Sequence, residues 1–290
     1  MSDYDLRPVT TDDATIAKMT ALLRAVFPNS SHFTEDVLRW QYRDNPSGEA
    51  VGFNAWLGDE LAAHYVTIPL VSMVNGKEER GLLSLNTATH PAHQGKGLFT
   101  QLANATYARG AEQGFGFVIG VANANSTHGF TKKLGFQLVS PLRAMIGIGA
   151  LPIVDRDAIQ YEQKWNDASL AWRLGHPAYE YTVAQMRHWK LRPRGVRLVL
   201  SERKQFGCRY VLGALRDEAV LDEVQSAFMP SRKVWIGLDP GMKWSGSLYL
   251  NIPMRFRPSP LNLIFKDLLG EGRTLDAARV RFQAMDFDIL

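Results

Sequence analysis

Apolar positions near the start of the chain recur with the period of an α-helix. They fall about every 3.6 residues at Ile16, Met19, Leu22, Leu23 and Val26. This period predicts an amphipathic helix capped by Thr10 or Thr11, with a short strand over residues 4–9 before it. A second helix is predicted over residues 35–42, because the turn-forming residues 45–48 follow it.

The next stretch contains apolar and β-branched runs separated by turn residues, which is typical of strands joined by tight turns. Gly58-Asp59 and Asn75-Gly76 supply the turn signals. The predicted elements are strands at 51–57, 61–73 and 80–89, a helix at 98–113, a strand at 115–122, a short helix at 126–134 and a strand at 136–139. This order predicts an α/β fold with a mixed sheet and helices on its faces.

The second half of the chain has weaker patterns that again mix strands and helices. Strands are predicted at 196–201, 209–215, 233–238 and 247–253, and helices at 155–174, 181–189, 220–228, 262–269 and 275–282. A Leu-x-Trp motif before a proline turn ends at Trp40 and occurs again at Trp172. It favours a degenerate second copy of the first domain, with chance as the alternative. We therefore predict domains over residues 1–142 and 143–290, both α/β.

Composition narrows the class of protein. The chain has 290 residues, 46% of them hydrophobic, and a formal net charge of +4, which fits a globular protein with no preference for nucleic acid. Its single cysteine, Cys208, excludes an internal disulfide. No apolar run reaches the roughly 18 residues of a membrane helix, and the N-terminus does not resemble a signal peptide. We therefore expect a cytoplasmic protein that binds neither a membrane nor nucleic acid.

The strand at 80–89 leads into a glycine-rich segment, residues 90–99, which opens the next helix. Gly95 and Gly97 lack Cβ atoms, so the backbone can turn sharply and a ligand can approach its amides. The first amides of a helix carry partial positive charge, and Lys96 adds a full charge. The segment predicts a phosphate or pyrophosphate site, with a plain tight connection as the alternative. It is neither a P-loop, which needs Lys-Ser or Lys-Thr, nor the dinucleotide fingerprint, because residue 100 is Thr.

Two segments of the sequence carry recognisable motifs. The first contains Pro91, Gln94, Gly95 and Gly97, and it matches the pattern x-Pro-x-x-Gln/Arg-Gly-x-Gly/Ala followed by an apolar residue. The second has Asn125 on a short helix and ends in Lys-Leu-Gly-Phe at residues 133–136. Together they resemble the two signatures of the GNAT superfamily of N-acetyltransferases. The resemblance covers about residues 4–140. It implies a GNAT fold, with a largely antiparallel sheet, a parallel split at the site of acetyl-CoA and helices on both faces.

The resemblance also implies which residues bind acetyl-CoA as the co-substrate. The strand before the turn would pair with the pantetheine arm through Thr87, Ala88 and Thr89. The pyrophosphate would lie on the amides of Gln94, Gly95, Lys96, Gly97, Leu98 and Phe99. Asn125 is at the position that usually bonds the pantetheine arm, and a role as helix cap is equally plausible.

Catalysis in this family is usually direct attack of a free amine on the thioester in a ternary complex, so no metal is expected. The usual acid, a tyrosine four residues before the glycine of Leu-Gly-Phe, is replaced here by Thr131. For the catalytic groups we consider His64, His90 and Asn86, since no carboxylate occurs on the strand before the turn. Packing for His64 and a plain loop position for His90 remain the alternatives.

The acceptor is less defined than the donor. Residues 187–216 carry nine lysines or arginines against one acid, Glu202, which predicts either a solvated basic face or a site for an anionic acceptor. Residues 143–290 are expected to help form the acceptor pocket, in a monomer or homodimer. We expect an N-acetyltransferase of a small-molecule amine, with a nucleotide-linked amino sugar as one candidate. The alternatives are a protein or peptide N-acetyltransferase and a non-catalytic acyl-CoA-binding module.

Overall fold

Alternate residues of the long central strands are buried on opposite faces of a sheet. The structure, a computed structural model, describes residues 4–154, 158–185, 196–205, 207–216 and 232–287. Within these residues fifteen strands form one connected sheet, with helices packed against both faces. None of the helices in these ranges is long and apolar enough to cross a membrane.

The elements of the first half follow the predicted order. The strands are β1 (Asp5–Pro8), β2 (Val51–Leu57), β3 (Glu60–Val74), β4 (Lys77–Thr89), β5 (Phe117–Ala122) and β6 (Gln137–Pro141). The helices are α1 (Asp13–Val26), α2 (Glu35–Tyr42), α3 (Leu98–Glu112) and α4 (Ala124–His128), which a π-helical turn continues over Gly129–Lys133. The predicted cap of α1 was wrong: the Asp12 side chain, rather than Thr10 or Thr11, accepts from the Thr15 amide.

The second half contains more strands than its sequence predicts. They are β7 (Arg143–Gly147), β8 (Tyr161–Gln163), β9 (Tyr181–Gln185), β10 (Arg197–Gln205), β11 (Cys208–Leu215), β12 (Arg232–Leu238), β13 (Tyr249–Asn251), β14 (Asn262–Asp267) and β15 (Val280–Gln283). One helix, α5 (Asp167–Leu174), lies among the described residues of this half.

Several helices predicted in the second half were wrong. Residues 262–269 contain β14, residues 275–282 contain a 3-10 turn and most of β15, and the described part of 181–189 is β9. The helix predicted over 155–174 is shorter than expected, because the structure has β8 there followed by α5. The helix predicted over 220–228 lies outside the described residues. For β14 the error has a physical cause: residues 263–265 at its centre are apolar and buried, and so short an apolar run has no period that separates strand from helix.

The second half of the chain contributes a strand to the part of the sheet that the first half builds. This strand, β14, lies between β5 and β6 and pairs antiparallel with both, and we call it the exchanged strand. β7, which follows β6 in the chain, pairs with β12 and β13 of its own half. The first part of the sheet is therefore incomplete without β14, and the division at residue 142, which stays a prediction, would separate β14 from its two partners.

The order of strand pairing in the first half recurs in the second. β2, β3 and β4 pair antiparallel and β4 then pairs parallel with β5, just as β9, β10 and β11 pair antiparallel and β11 pairs parallel with β12. Trp40 of α2 and Trp172 of α5 stack with ring centroids 4.5 Å apart. Each indole Nε1 donates to the other residue's carbonyl oxygen at 2.8 Å. The two tryptophans that suggested the duplication thus contact each other, and the duplication itself stays a prediction.

A cluster of ion pairs joins the exchanged strand to the first half. Arg273 donates to both carboxylate oxygens of Glu79 in β4, at 2.8 and 3.0 Å, and to Asp267 at the end of β14, at 2.8 Å. It also donates to the carbonyl oxygen of Gly116, just before β5, at 2.7 Å. Burial alone would raise the pKa of Asp267, but hydrogen bonds from Arg273 outweigh burial and lower that pKa. Asp267 is therefore charged at neutral pH, and the cluster holds β4, β5 and β14 together.

We expect a fragment of residues 1–142 not to fold cooperatively, because β5 and β6 would lose the strand that lies between them. Circular dichroism during thermal unfolding checks this, with the full chain as reference. As a control, co-expression of residues 143–290 should restore a folded complex. A monomeric fragment with a sharp unfolding transition would contradict the expectation.

Candidate functional site

The parallel strands β4 and β5 separate part of the way along their length. They pair from Gly81 and Phe117 up to Ser84 and Gly120, and no pair joins them beyond that point. A Cβ atom at Gly120 would lie 3.1 Å from the Ser84 Cβ, so glycine permits the close approach at the apex. The parallel split that the sequence predicted is therefore present.

A cavity of about 220 Å³ lies at this split. Its walls come from the α1–α2 connection, β4, β5, the α4 region and β14, through Phe27, Ser30, Phe33, Ser84, Leu85, Asn86, Thr87, Gly120, Val121, Asn123, Ser126, Phe130 and Ile264. All of these lining residues are apolar or uncharged, so none changes charge near neutral pH. Ile264 belongs to the exchanged strand, which makes the second half a part of the cavity wall.

Asn86 lies in a bulge of β4 at the cavity wall. The register of β4 against β3 shifts here, so that two residues of β4 face one of β3. Asn86 has a φ of 46°, in the left-handed region that asparagine tolerates better than most residues. Its Nδ2 donates to Gln41 Oε1 at 2.6 Å and to Tyr42 Oη at 2.9 Å. Helix α2 therefore holds the Asn86 amide in place.

Behind Asn86, buried hydrogen bonds lead to His64. Tyr42 Oη lies 3.2 Å from His64 Nε2, and His64 Nδ1 lies 2.7 Å from Asn54 Oδ1. Burial lowers the pKa of His64 to about 3, so the imidazole is neutral at neutral pH. A neutral ring that donates from Nδ1 to Asn54 accepts from the Tyr42 hydroxyl at Nε2. His64 is not among the residues that line the cavity, and it orients Tyr42, which in turn contacts Asn86.

A second set of buried hydroxyl groups reaches the cavity at Ser84. Tyr65 Oη lies 2.8 Å from Ser84 Oγ and 2.6 Å from Tyr107 Oη. Burial raises the pKa of both tyrosines, so both keep their protons at neutral pH. These tyrosines could not be predicted from the sequence, because their contact depends on the packing of α3 against β3, which no local pattern shows.

The glycine turn lies where β4 ends and α3 begins. Gly95 and Gly97 have φ values of 78° and 73°, and Gly97 is the N-cap residue of α3. Among the described residues no side chain caps the first amides of α3, and a Cβ atom on Gly95 would meet nothing within 4 Å. Lys96 Nζ donates to Tyr4 Oη at 2.7 Å. The turn therefore presents open, positively polarised backbone to an anion.

In the second signature, Asn123 rather than Asn125 caps the helix and lines the cavity. Asn123 Oδ1 accepts from the amides of Asn125 and Ser126, at 3.0 and 2.9 Å. Asn125 is exposed on α4. Thr131, at the position of the usual acid, donates from Oγ1 to the Thr127 carbonyl oxygen at 2.9 Å within its own helix.

His90, the other candidate base, lies at the glycine turn and is not among the cavity-lining residues. Its Nδ1 accepts from the Ala92 amide at 3.3 Å, at the start of the 3-10 turn Pro91–His93. The structure thus brings Asn86 and Thr87 into the cavity and leaves His64 and His90 outside its lining.

The basic segment 187–216 is described only in part, since residues 186–195 and 206 lie outside the described ranges. Arg209 pairs with Glu202 at 3.3 Å, and Arg216 pairs with Asp239 at 2.7 Å. Arg197 is buried, with 8% of its surface exposed. These three arginines therefore do not form a solvated basic face.

Comparison with known proteins agrees with this geometry. A family model for the acetyltransferase (GNAT) domain matches residues 5–139. A probable N-acyltransferase of unknown function from Enterococcus faecalis is similar in structure, with a TM-score of 0.62, 9% identity, and coverage of 91% of this chain and 73% of that one. For a GCN5-related N-acetyltransferase from Anabaena variabilis the TM-score is 0.57 at 9% identity, and for Eis1 from Mycobacterium abscessus it is 0.58 at 10%, with the same coverage of 91% and 73%. No curated protein gives a significant match. At these identities the structural likeness shows the fold, and it spans both halves of the chain.

We expect Asn86→Ala to be less stable than Asn86→Gly by about 1 kcal/mol, because glycine adopts a positive φ without strain. Both variants lose the side-chain hydrogen bonds, so the difference between their free energies of unfolding reports the backbone strain. Urea denaturation measures it.

Thr87 is the matched control, since its φ is not positive. There the order should reverse, with Thr87→Gly less stable than Thr87→Ala. Equal stability of the two Asn86 variants would contradict the strained bulge.

Proposed function

We propose that this chain is an acetyltransferase that uses an acyl-CoA donor and acetylates the primary amine of a small molecule, because the family model for the GNAT acetyltransferase domain matches residues 5–139. The observation that carries this proposal is the cavity at the β4–β5 split with an open glycine turn at the end of β4. The cavity suits the thioester end of the donor, and the glycine turn suits its phosphates.

The end of β4, the glycine turn and the cavity could together bind a CoA thioester. Beyond Ser84 the backbone of β4 has no partner on the β5 side, so Thr87, Ala88 and Thr89 can pair with the amides of a pantetheine arm. The pyrophosphate fits on the amides of residues 94–99, where the helix dipole and Lys96 favour negative charge. The thioester would then lie in the cavity beside Ser84 and Asn86.

The cavity promotes the reaction mainly by positioning the two substrates. The amine nitrogen attacks the thioester carbon, a C–N bond forms, and the C–S bond breaks to release the CoA thiolate. None of the described lining residues takes up a proton near neutral pH, so the amine reacts in its neutral form. The proton that it loses passes to water, and water protonates the thiolate.

The acceptor would contact walls that combine apolar side chains with uncharged polar ones. Phe27 and Phe33, with ring centroids 5.7 Å apart, cover the cavity from the α1–α2 connection. None of the lining residues is acidic, so apolar contacts and hydrogen bonds rather than ion pairs would hold the acceptor. We therefore favour an amine with an apolar body. A nucleotide-linked amino sugar would need cations to bind its phosphates, and the described arginines of 187–216 already have partners within the protein.

We expect Gly95→Ala to weaken acetyl-CoA binding at least about tenfold, because the new Cβ atom would enter the surface on which the pyrophosphate lies. Gly114→Ala is the matched control: Gly114 has a φ of 80° against 78° at Gly95, and neither Cβ would meet protein atoms within 4 Å. Gly114 follows the other end of α3, so this variant should bind acetyl-CoA like the unmodified chain.

Isothermal titration calorimetry makes this comparison. Absence of binding by the unmodified chain at millimolar acetyl-CoA would overturn the proposal. Equal affinity of the two variants for acetyl-CoA would show that the glycine turn does not contact the donor.

A thiol-release assay with small amines, nucleotide amino sugars and peptides then identifies the acceptor class. Release with peptides alone would favour a protein acetyltransferase, and binding without release would favour a non-catalytic module.

We expect kcat/KM to rise with pH and to level off at the pKa of the acceptor amine, because the described cavity lining offers no base. With an acceptor whose amine pKa is lower by about one unit, the midpoint should move down by the same amount. His64 adds no inflection near neutral pH, because its pKa is about 3. Profiles measured with two such amines test this, and a midpoint common to both would reveal a base on the protein.

A further inference from the structure

Glu60, His90 and His93 come together beside the glycine turn and outside the cavity lining. Each offers one ligand atom, and these three atoms lie within 4.8 Å of one another. Glu60 is the first residue of β3, and the two histidines follow the end of β4. The backbone holds these ends together, because the His90 amide donates to the Ala62 carbonyl oxygen at 2.9 Å.

The hydrogen bonds of His93 suit a metal ligand. His93 Nε2 lies 3.0 Å from Glu60 Oε1, and its Nδ1 lies 2.7 Å from Tyr4 Oη. A histidine that binds a metal through one ring nitrogen usually donates its other N–H to an oxygen, which is the role that Tyr4 can take. The His93 side chain is 7% exposed and that of Glu60 is 54% exposed, so the cluster is anchored inside and open to water on one side.

We propose that Glu60, His90 and His93 form a binding site for a divalent transition-metal ion such as Zn²⁺. Two imidazoles and a carboxylate are a ligand set that Zn²⁺ accepts, with water in the fourth position. No metal was expected from the sequence, so this proposal departs from that expectation, and it gives the metal no part in the transfer reaction. It ties the start of β3 to the turn that is proposed to hold the donor pyrophosphate.

The geometry needs a small adjustment. At Zn–ligand distances of about 2.0–2.1 Å, tetrahedral ligand atoms lie about 3.3 Å apart. Glu60 and His93 are already at 3.0 Å, so the His90 ring has to move closer. Binding through His90 loses only its long bond from the Ala92 amide, at 3.3 Å.

Metal binding would also affect Lys96. Binding at His93 Nε2 fixes the proton on Nδ1, which then donates to Tyr4 Oη. Lys96 Nζ donates to the same oxygen at 2.7 Å. The metal site and the cation of the glycine turn are therefore joined through one tyrosine.

The test is calorimetric titration of ZnCl₂ into the full chain, prepared without a polyhistidine tag and without acyl-CoA. We expect about one Zn²⁺ per chain with micromolar affinity. Glu60→Gln and His90→Gln should each weaken binding by about tenfold or more. His128→Gln, which removes an exposed histidine on α4, is the matched control and should leave the affinity unchanged.

The Glu60→Gln variant should fold like the unmodified chain, because the Glu60 side chain is more than half exposed. A loss of Zn²⁺ binding in this variant would therefore not result from misfolding. Zn²⁺ should also raise the thermal unfolding midpoint of the unmodified chain and not that of Glu60→Gln. The proposal is overturned if the unmodified chain binds no Zn²⁺ in the micromolar range, or if the Glu60 and His90 variants bind it as tightly as the His128 variant. Neither result bears on acetyl-CoA binding, which is measured separately.

Discussion

The exchanged strand β14 is the constraint on which the rest of the structure depends. Its central residues Leu263, Ile264 and Phe265 are at most 1% exposed, and its backbone pairs on both sides with strands of the first half. Burying such a strand removes two sheet edges at once. The ion pairs of Arg273 then hold β14 against the start of β4 and β5, and Ile264 becomes part of the cavity wall. The donor split is thus built by residues from both halves of the chain.

The polar groups around the cavity are held in place without carrying charge. His64, Tyr42 and Asn86 form one buried set of hydrogen bonds, and Tyr65, Tyr107 and Ser84 form another. Burial keeps the imidazole neutral and the tyrosines protonated, so their positions do not depend on pH near neutrality. The left-handed conformation of Asn86 adds backbone strain at the point where the cavity wall is formed, as is common at functional sites. The turn before α3 is positively polarised, whereas the cavity lining is uncharged. The phosphates of a donor would therefore lie in a positive potential and its thioester in an uncharged cavity.

Much of the first half could be predicted because its signals are local. Helix α1, the meander β2 to β4 and the glycine turn each follow from periodicity and turn residues within a short window. Strand β14 could not be predicted, since an apolar run that is buried on both faces has no period and its partners are more than a hundred residues away. The burial of His64 and the meeting of Tyr65 with Tyr107 likewise depend on packing. The repeated Leu-x-Trp motif was informative because its two tryptophans contact each other, so a weak sequence signal coincided with a structural one.

The late position of β14 also determines when the protein can mature during synthesis. Residues Asn262–Asp267 are synthesised more than a hundred residues after β5. Until then β5, which is apolar on both faces, has β4 on one side and an open edge on the other. Unpaired apolar edges of this kind promote aggregation of partly folded chains. The donor site, whose wall includes Ile264, is therefore complete only after β14 has been synthesised, and the edge of β5 stays open until then.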